Sequence, residues 1–241
     1  PPYEGLINAT NVFRTGQWPG PGGMDDPYIA QFMACESGNT QDEAFHSSLA
    51  WPGCAELLDK IGPAILFNHA FGGFMGWGVA DRRPDLVKAI VAMEPSGPPV
   101  FDNVMKGAPD WFEDGPFTKP YGLTAAPLTY DPPLSSPDEM RFVKQEKADA
   151  VDRVRCWEQA EPARKLAKLQ NIPVLVVAAE ASYHAPFDHC TARYLKQAGV
   201  TKTTYIRLAD LGIKGNAHML MLEKNNAEIA EVARKWLSEA G

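Results

Sequence analysis

The chain has 241 residues, 45% of them hydrophobic and 22% charged, with a formal net charge of −7. That length and balance suit one globular domain with a sizeable core. The acidic charge argues against a nucleic-acid partner, which needs clustered Lys and Arg, and no apolar run reaches the roughly 18–20 residues that span a bilayer.

The sequence opens Pro1-Pro2-Tyr3 with neither an initiator Met nor a signal-peptide pattern, as expected of a processed or partial chain. Residues 1–39 are rich in Pro, Gly and Asn and read as loop. Within them the sequon Asn8-Ala9-Thr10 would accept a glycan in a secreted protein, which tips the expected location toward secretion. Cys35, Cys54, Cys156 and Cys190 are too few and too dispersed for a disulfide scaffold or a CxxC metal site, but allow one or two disulfides. Thr40-Gln41-Asp42-Glu43 matches a capping box and predicts a helix to about Lys60, ended by Gly62-Pro63.

Short continuous apolar runs then predict buried strands at Ala64–Phe67, Lys88–Met93, Pro173–Ala179 and Thr203–Leu208. A helix of small residues is expected over 71–81, and amphipathic helices over Ala185–Ala198 and Asn226–Glu239. Strands alternating with helices mean an α/β fold with a parallel sheet. Residues 97–168 break the rhythm with a Pro-, Gly- and aromatic-rich stretch. A long helix is expected after it, with Ser136 as N-cap, Pro137 at its first position and Glu139 at its third. An insertion of this size reads as a cap on a single 1–241 domain.

The strand Ala64–Phe67 runs into Asn68-His69-Ala70-Phe71-Gly72-Gly73 and then a helix, the strand–turn–helix setting of a nucleophile elbow, G-x-S-x-G. Gly72 fits that pattern, Asn68 replaces a glycine, and Ala70 stands at the nucleophile position. Alanine has no Oγ, so the chain as written forms no acyl-enzyme. His218 lies in a Gly- and Asn-rich loop before the last helix, where the histidine of a nucleophile–acid–histidine order belongs. Two acids qualify as its partner, Glu94 and Glu180, each directly after a predicted strand, where parallel sheets build their sites. The amide of Phe71 is an oxyanion donor. Phe74, Trp77, Trp111 and Tyr183 are candidates to line a substrate pocket. His69 and His46 read as packing residues. His184 and His189 lack the further ligands that a metal needs, so neither metal nor other cofactor is expected.

These segments, with Ala89-Ile90-Val91-Ala92-Met93-Glu94-Pro95-Ser96-Gly97-Pro98-Pro99, Ala179-Glu180-Ala181-Ser182-Tyr183-His184 and Gly215-Asn216-Ala217-His218-Met219, resemble a family of bacterial and fungal α/β-hydrolase esterases. That family carries T-H-S-Q-G-G at its elbow, followed by A-I-E-P-S-G-P-P. The resemblance covers most of residues 55–240. It implies the α/β-hydrolase fold, a serine at position 70, His218 as the base and Glu94, ahead of Glu180, as the acid. The implied activity is hydrolysis of a small, largely apolar carboxylic ester or lactone. An isolated loss of serine beside an intact acid and histidine favours an altered residue over a natural pseudoenzyme serving as a receptor. The resemblance also implies about four strands before the elbow strand. Residues 1–63 show none of them, which suggests that a second chain, or a part cleaved off or lying outside this sequence, supplies them. A homo-oligomer stays open.

Overall fold

The computed structural model describes residues 16–22, 25–35, 42–106 and 112–240. Asn8, the expected cap Thr40 and Trp111 lie outside the described residues. Helix α1 (Pro27–Ala34) falls in the stretch expected to be loop. Its signal is local. Asp26 caps it by accepting from the Tyr28 amide (2.8 Å), and Pro27 occupies the first helical position, where it loses no hydrogen bond. The buried Asp26 carboxylate also accepts from the Trp18 indole (2.8 Å) and the Gly22 amide (2.7 Å), tying the loop to the helix.

Helix α2 (Glu43–Ile61) is capped by Asp42, whose side chain accepts from the Phe45 amide. Gly62 ends it at φ 84°, a conformation that a side chain would strain. Strand β1 (Ala64–Ala70), helix α3 (Gly73–Arg82) and strand β2 (Val87–Pro95) follow. Each strand outlasts its apolar run by a few residues and carries the chain to the functional end of the sheet.

The described residues between 97 and 168 include small antiparallel ribbons. Strand β3 (Phe101–Met105) pairs with β4 (Phe112–Phe117), β5 (Tyr130–Asp131) with β8 (Lys165–Leu166), and β6 (Phe142–Lys144) with β7 (Trp157–Gln159). The long helix expected after Ser136 does not form. Ser136 does cap, accepting from the Asp138 amide, but a single 3-10 turn (Pro137–Glu139) results. Met140 then turns extended to bury in the core, and Phe142–Lys144 pairs with Trp157–Gln159, so tertiary packing overrides the local start signal. Two acids, the half-buried Glu43 and the buried Asp81, anchor this region to the helices. Glu43 accepts from the Ala125 amide, and Asp81 from the amide and hydroxyl of Thr129.

Strand β9 (Val174–Ala178), helix α4 (Asp188–Gln197), strand β10 (Thr203–Arg207) and helix α5 (Asn226–Ala240) complete the fold. The parallel sheet runs β1-β2-β9-β10. Alternating side chains supply its two faces. Ile90, Ala92, Val174 and Val176 pack with α2, α3, α4 and residues 123–142. Val91, Met93, Leu175 and Val177 pack with Leu208, Ile213, Leu220 and α5. Each such aliphatic side chain contributes roughly 1.5–3 kcal/mol by leaving water. β1 lies at one edge of the sheet, with Ile65 44% and Phe67 61% exposed.

Candidate active site

At the end of β1 the backbone turns sharply. Ala70 sits at φ 51°, its carbonyl accepts from the Ser96 amide (2.7 Å), and the Gly72 amide donates to the His69 carbonyl (2.9 Å). The tight turn requires α3 to start against the sheet. A Cβ on Gly73 would lie 2.5 Å from the Pro95 Cβ. Asn68, where the elbow pattern has glycine, is accommodated from the helix side. Gly76 leaves room for it, since a Cβ there would lie 2.5 Å from the Asn68 Nδ2. The amide of Phe71 follows Ala70 at the head of this turn.

β2 ends in a second unusual residue. Glu94 has φ 46° and is skipped by the pairing of β1 with β2, which passes from His69–Met93 to Ala70–Pro95. This bulge redirects its side chain inward. The carboxylate is fully buried and accepts three hydrogen bonds, from the Ala179 amide (2.8 Å), the Ser182 hydroxyl (2.6 Å) and His218 Nδ1 (2.7 Å). Burial pushes its pKa up. The hydrogen bonds from His218 and Ser182 outweigh that and hold it low.

The loop bearing His218 is fixed on both sides. Glu223 accepts from the Ala217 amide (2.9 Å) and the Asn216 side chain (2.5 Å), and the Asn216 carbonyl accepts from the Ala181 amide. The His218 carbonyl accepts from His69 Nε2 (2.8 Å), which fixes the His69 proton on that nitrogen. His69 therefore does more than pack. Its ring lies 4.5 Å from that of His218, and burial, then the neighbouring His218, lowers its pKa to about 4. With Nδ1 donating to Glu94, Nε2 is left as the basic nitrogen of His218.

Glu180 lies apart. It is exposed and accepts from the Gly215 amide (2.9 Å), bracing the loop rather than touching the imidazole. Tyr183 is 38% exposed with its ring 4.9 Å from His218, placing an aromatic wall beside the histidine. Phe74 and Trp77 are corrections to the pocket reading. Neither has exposed surface, and both belong to the main core beneath the elbow. Phe71, edge-on to Phe74 (4.8 Å) and to His46 (5.3 Å), is the half-buried aromatic there.

Three residues gain roles that the sequence reading missed. Ser182 joins the acid's shell. His184 stacks on His218 and bonds Asp188. The signal was the i,i+4 spacing of His184 and Asp188 at the start of α4, hidden by the more conspicuous pair His184 and His189. His189 instead sits against a disulfide, Cys156–Cys190, with Nε2 3.3 Å from the Cys156 sulfur. Among the described residues, metal-binding residue types gather at Cys156, His189 and Cys190 and at Glu94, His184 and His218, but the two sulfurs are joined to each other and Glu94 is bonded to His218.

The sequence profile of the Alpha/beta hydrolase family matches residues 15–232. The chain belongs to the α/β-hydrolase family. Over 226 residues it is 41% identical to "Probable secreted lipase phiG" of Fungal sp. (strain ATCC 74256), a match spanning 92% of this chain and 59% of that relative's length. Among solved structures it is similar to a novel bacterial esterase (21% identity, 78% of this chain and 41% of that one, TM-score 0.45). It is also similar to the monoacylglycerol lipase of Paleococcus ferrophilus (15% identity, 81% and 76%, TM-score 0.44). The parallel sheet with helices on both faces is the α/β-hydrolase fold expected from the sequence.

Proposed function

We propose that this chain holds the acid–base machinery of a serine-type carboxylic ester or lactone hydrolase, with Ala70 at the nucleophile position. The observation that carries this reading is the 2.7 Å hydrogen bond between His218 Nδ1 and a buried, ionised Glu94, in one site with the left-handed turn at Ala70. With serine at 70, His218 Nε2 takes the hydroxyl proton as Oγ attacks the carbonyl. Glu94 orients the ring and stabilises the imidazolium, and the Phe71 amide donates to the oxyanion. His218 then protonates the leaving alcohol and activates the water that releases the acid. No cofactor enters these steps. Tyr183 and Phe71 favour an apolar acyl or alcohol group, in keeping with a relative named as a lipase. Residues 97–168 serve as the cap. The buried disulfide, and a relative named as secreted, support an oxidising, extracellular location.

Ala70 itself favours a second reading, a hydrolase-fold receptor that binds such molecules without turnover. The deciding experiment is fluorophosphonate labelling of Ala70→Ser. Labelling at residue 70 that disappears with His218→Ala is the expected result. A folded Ala70→Ser protein that stays unlabelled overturns the hydrolase reading in favour of the receptor.

A further inference from the structure

The assigned triad positions leave a second buried acid–histidine pair unused. His184 and Asp188 are 3% and 0% exposed. His184 Nδ1 lies 2.9 Å from Asp188 Oδ1, and the backbone amide of His184 bonds the same Ser182 hydroxyl that donates to Glu94. The His184 ring is 4.7 Å from that of His218 and only 7° from parallel to it. Tyr183 (4.4 Å) and Phe187 (4.8 Å) pack against His184 and fix its plane. A histidine held this rigidly, ring to ring with the base, has little room to move and no route to a substrate of its own.

We propose that His184 is a positioning residue of this site: Asp188 holds it as a neutral imidazole, and its face supports the His218 ring and the imidazolium that forms there. The proposal rests on the reading that His218 carries the proton. The two carboxyls explain how neutrality is kept. Glu94 accepts three hydrogen bonds and stays ionised. Asp188 has one partner, and its Oδ2 has none. Burial, and then the charge on Glu94, push the Asp188 pKa well up, and its Oδ1 lies 2.9 Å from His184 Nδ1. Burial likewise lowers His184 to about 4, with Glu94 opposing and Lys119 assisting. A neutral ring face attracts a stacked cation, whereas a charged His184 at 4.7 Å would repel one. Among the described residues, His218, His69 from β1, Glu94 from β2, Tyr183 beside α4, Tyr205 of β10 and Lys119 are the other titratable groups whose charge or ring reaches this pair.

The test is a 15N NMR titration of the imidazoles in the chain as it exists, with Ala70, which needs no catalysis. His184 should keep neutral-imidazole shifts from pH 8 down to pH 5. His184→Leu, which removes the aromatic face, should cut the labelling rate of Ala70→Ser about tenfold. His184→Phe, which keeps the face, and Asp188→Asn, which mimics the neutral acid, should hold that rate within about twofold. A His184 that titrates above pH 6, or Leu and Phe variants labelled at the same rate, overturns the proposal. Loss of labelling in Ala70→Ser with the His184 shifts as expected instead counts against the hydrolase reading alone.

Discussion

Glu94 combines two costs, a left-handed backbone and a buried charge. Left-handed φ at a non-glycine residue costs on the order of 1–3 kcal/mol, and an isolated buried carboxylate costs more. Three donors offset both, and one of them is His218. In an Ala70→Ser background, Glu94→Gln should therefore reduce kcat by roughly 10³- to 10⁴-fold with little change in KM, because the amide can no longer stabilise the imidazolium. Glu180→Gln should stay within about twofold, since that side chain accepts from the Gly215 amide and does not bond His218. Steady-state ester hydrolysis of the two variants checks both, and equal losses would remove Glu94 from the acid's role. The sequence placed both acids at strand ends and could not rank them on spacing alone. What separates them is the bulge that swings Glu94 inward and the depth at which it lands, neither of which a residue pattern records. His218 was legible because a Gly- and Asn-rich loop before a final helix is a local signature. His184 was not, because its meaning depends on a ring from a loop 34 positions on in the chain.

At the scale of elements, α3 is the part of the fold whose composition and packing agree most closely. Its run of small residues reads as a closely packed helix, and the packing shows where that closeness is needed. A Cβ on Gly78 would lie 1.9 Å from Cε2 of Trp51 in α2, a rigid indole that is itself buried. Gly78→Ala should destabilise the protein by roughly 1–3 kcal/mol and lower Tm by several degrees. Gly53→Ala in α2 meets nothing within 4 Å and should raise stability by about 0.5–1 kcal/mol through helix propensity. Thermal unfolding of the pair separates crowding from propensity, and similar shifts for both would refute the close α2–α3 contact. The ribbons β5–β8 and β6–β7 were illegible for the converse reason. Strands of two or three residues are too short to show a period, and their partners are remote in sequence. The Cys156–Cys190 bridge ties this region to α4 across a sequence separation of 34. Replacing both cysteines with serine should cost roughly 3–4 kcal/mol in urea unfolding.

For the molecule as a whole, the core carries an unusual load of buried titratable groups, and they pull against each other as pH changes. Burial holds His69, His184 and His189 at about 4, against 6.5 for a free ring. Each takes up a proton more readily unfolded than folded. The stability each confers is complete above about pH 6.5 and drains as pH falls toward 4. Burial raises Glu43, Asp81 and Asp188, which act in the opposite sense, favouring the folded state at low pH and weakening it as pH rises past the ordinary carboxylate range. A raw stability curve mixes the two groups, so the informative measurement is a difference. His189 is the cleanest probe because it lies on the disulfide, away from the other two rings. Burial, then the charge on Arg153, depresses it, and Asp149 opposes. His189→Leu should leave the carboxyls untouched while removing one acid-labile ring. Relative to the parent, the variant should gain roughly 2 kcal/mol between pH 7.5 and pH 4.5 in urea unfolding, whatever its offset at neutral pH. A constant offset across that range would mean that His189 accepts its proton in the folded protein, and that the region around the bridge opens to water before the fold is lost.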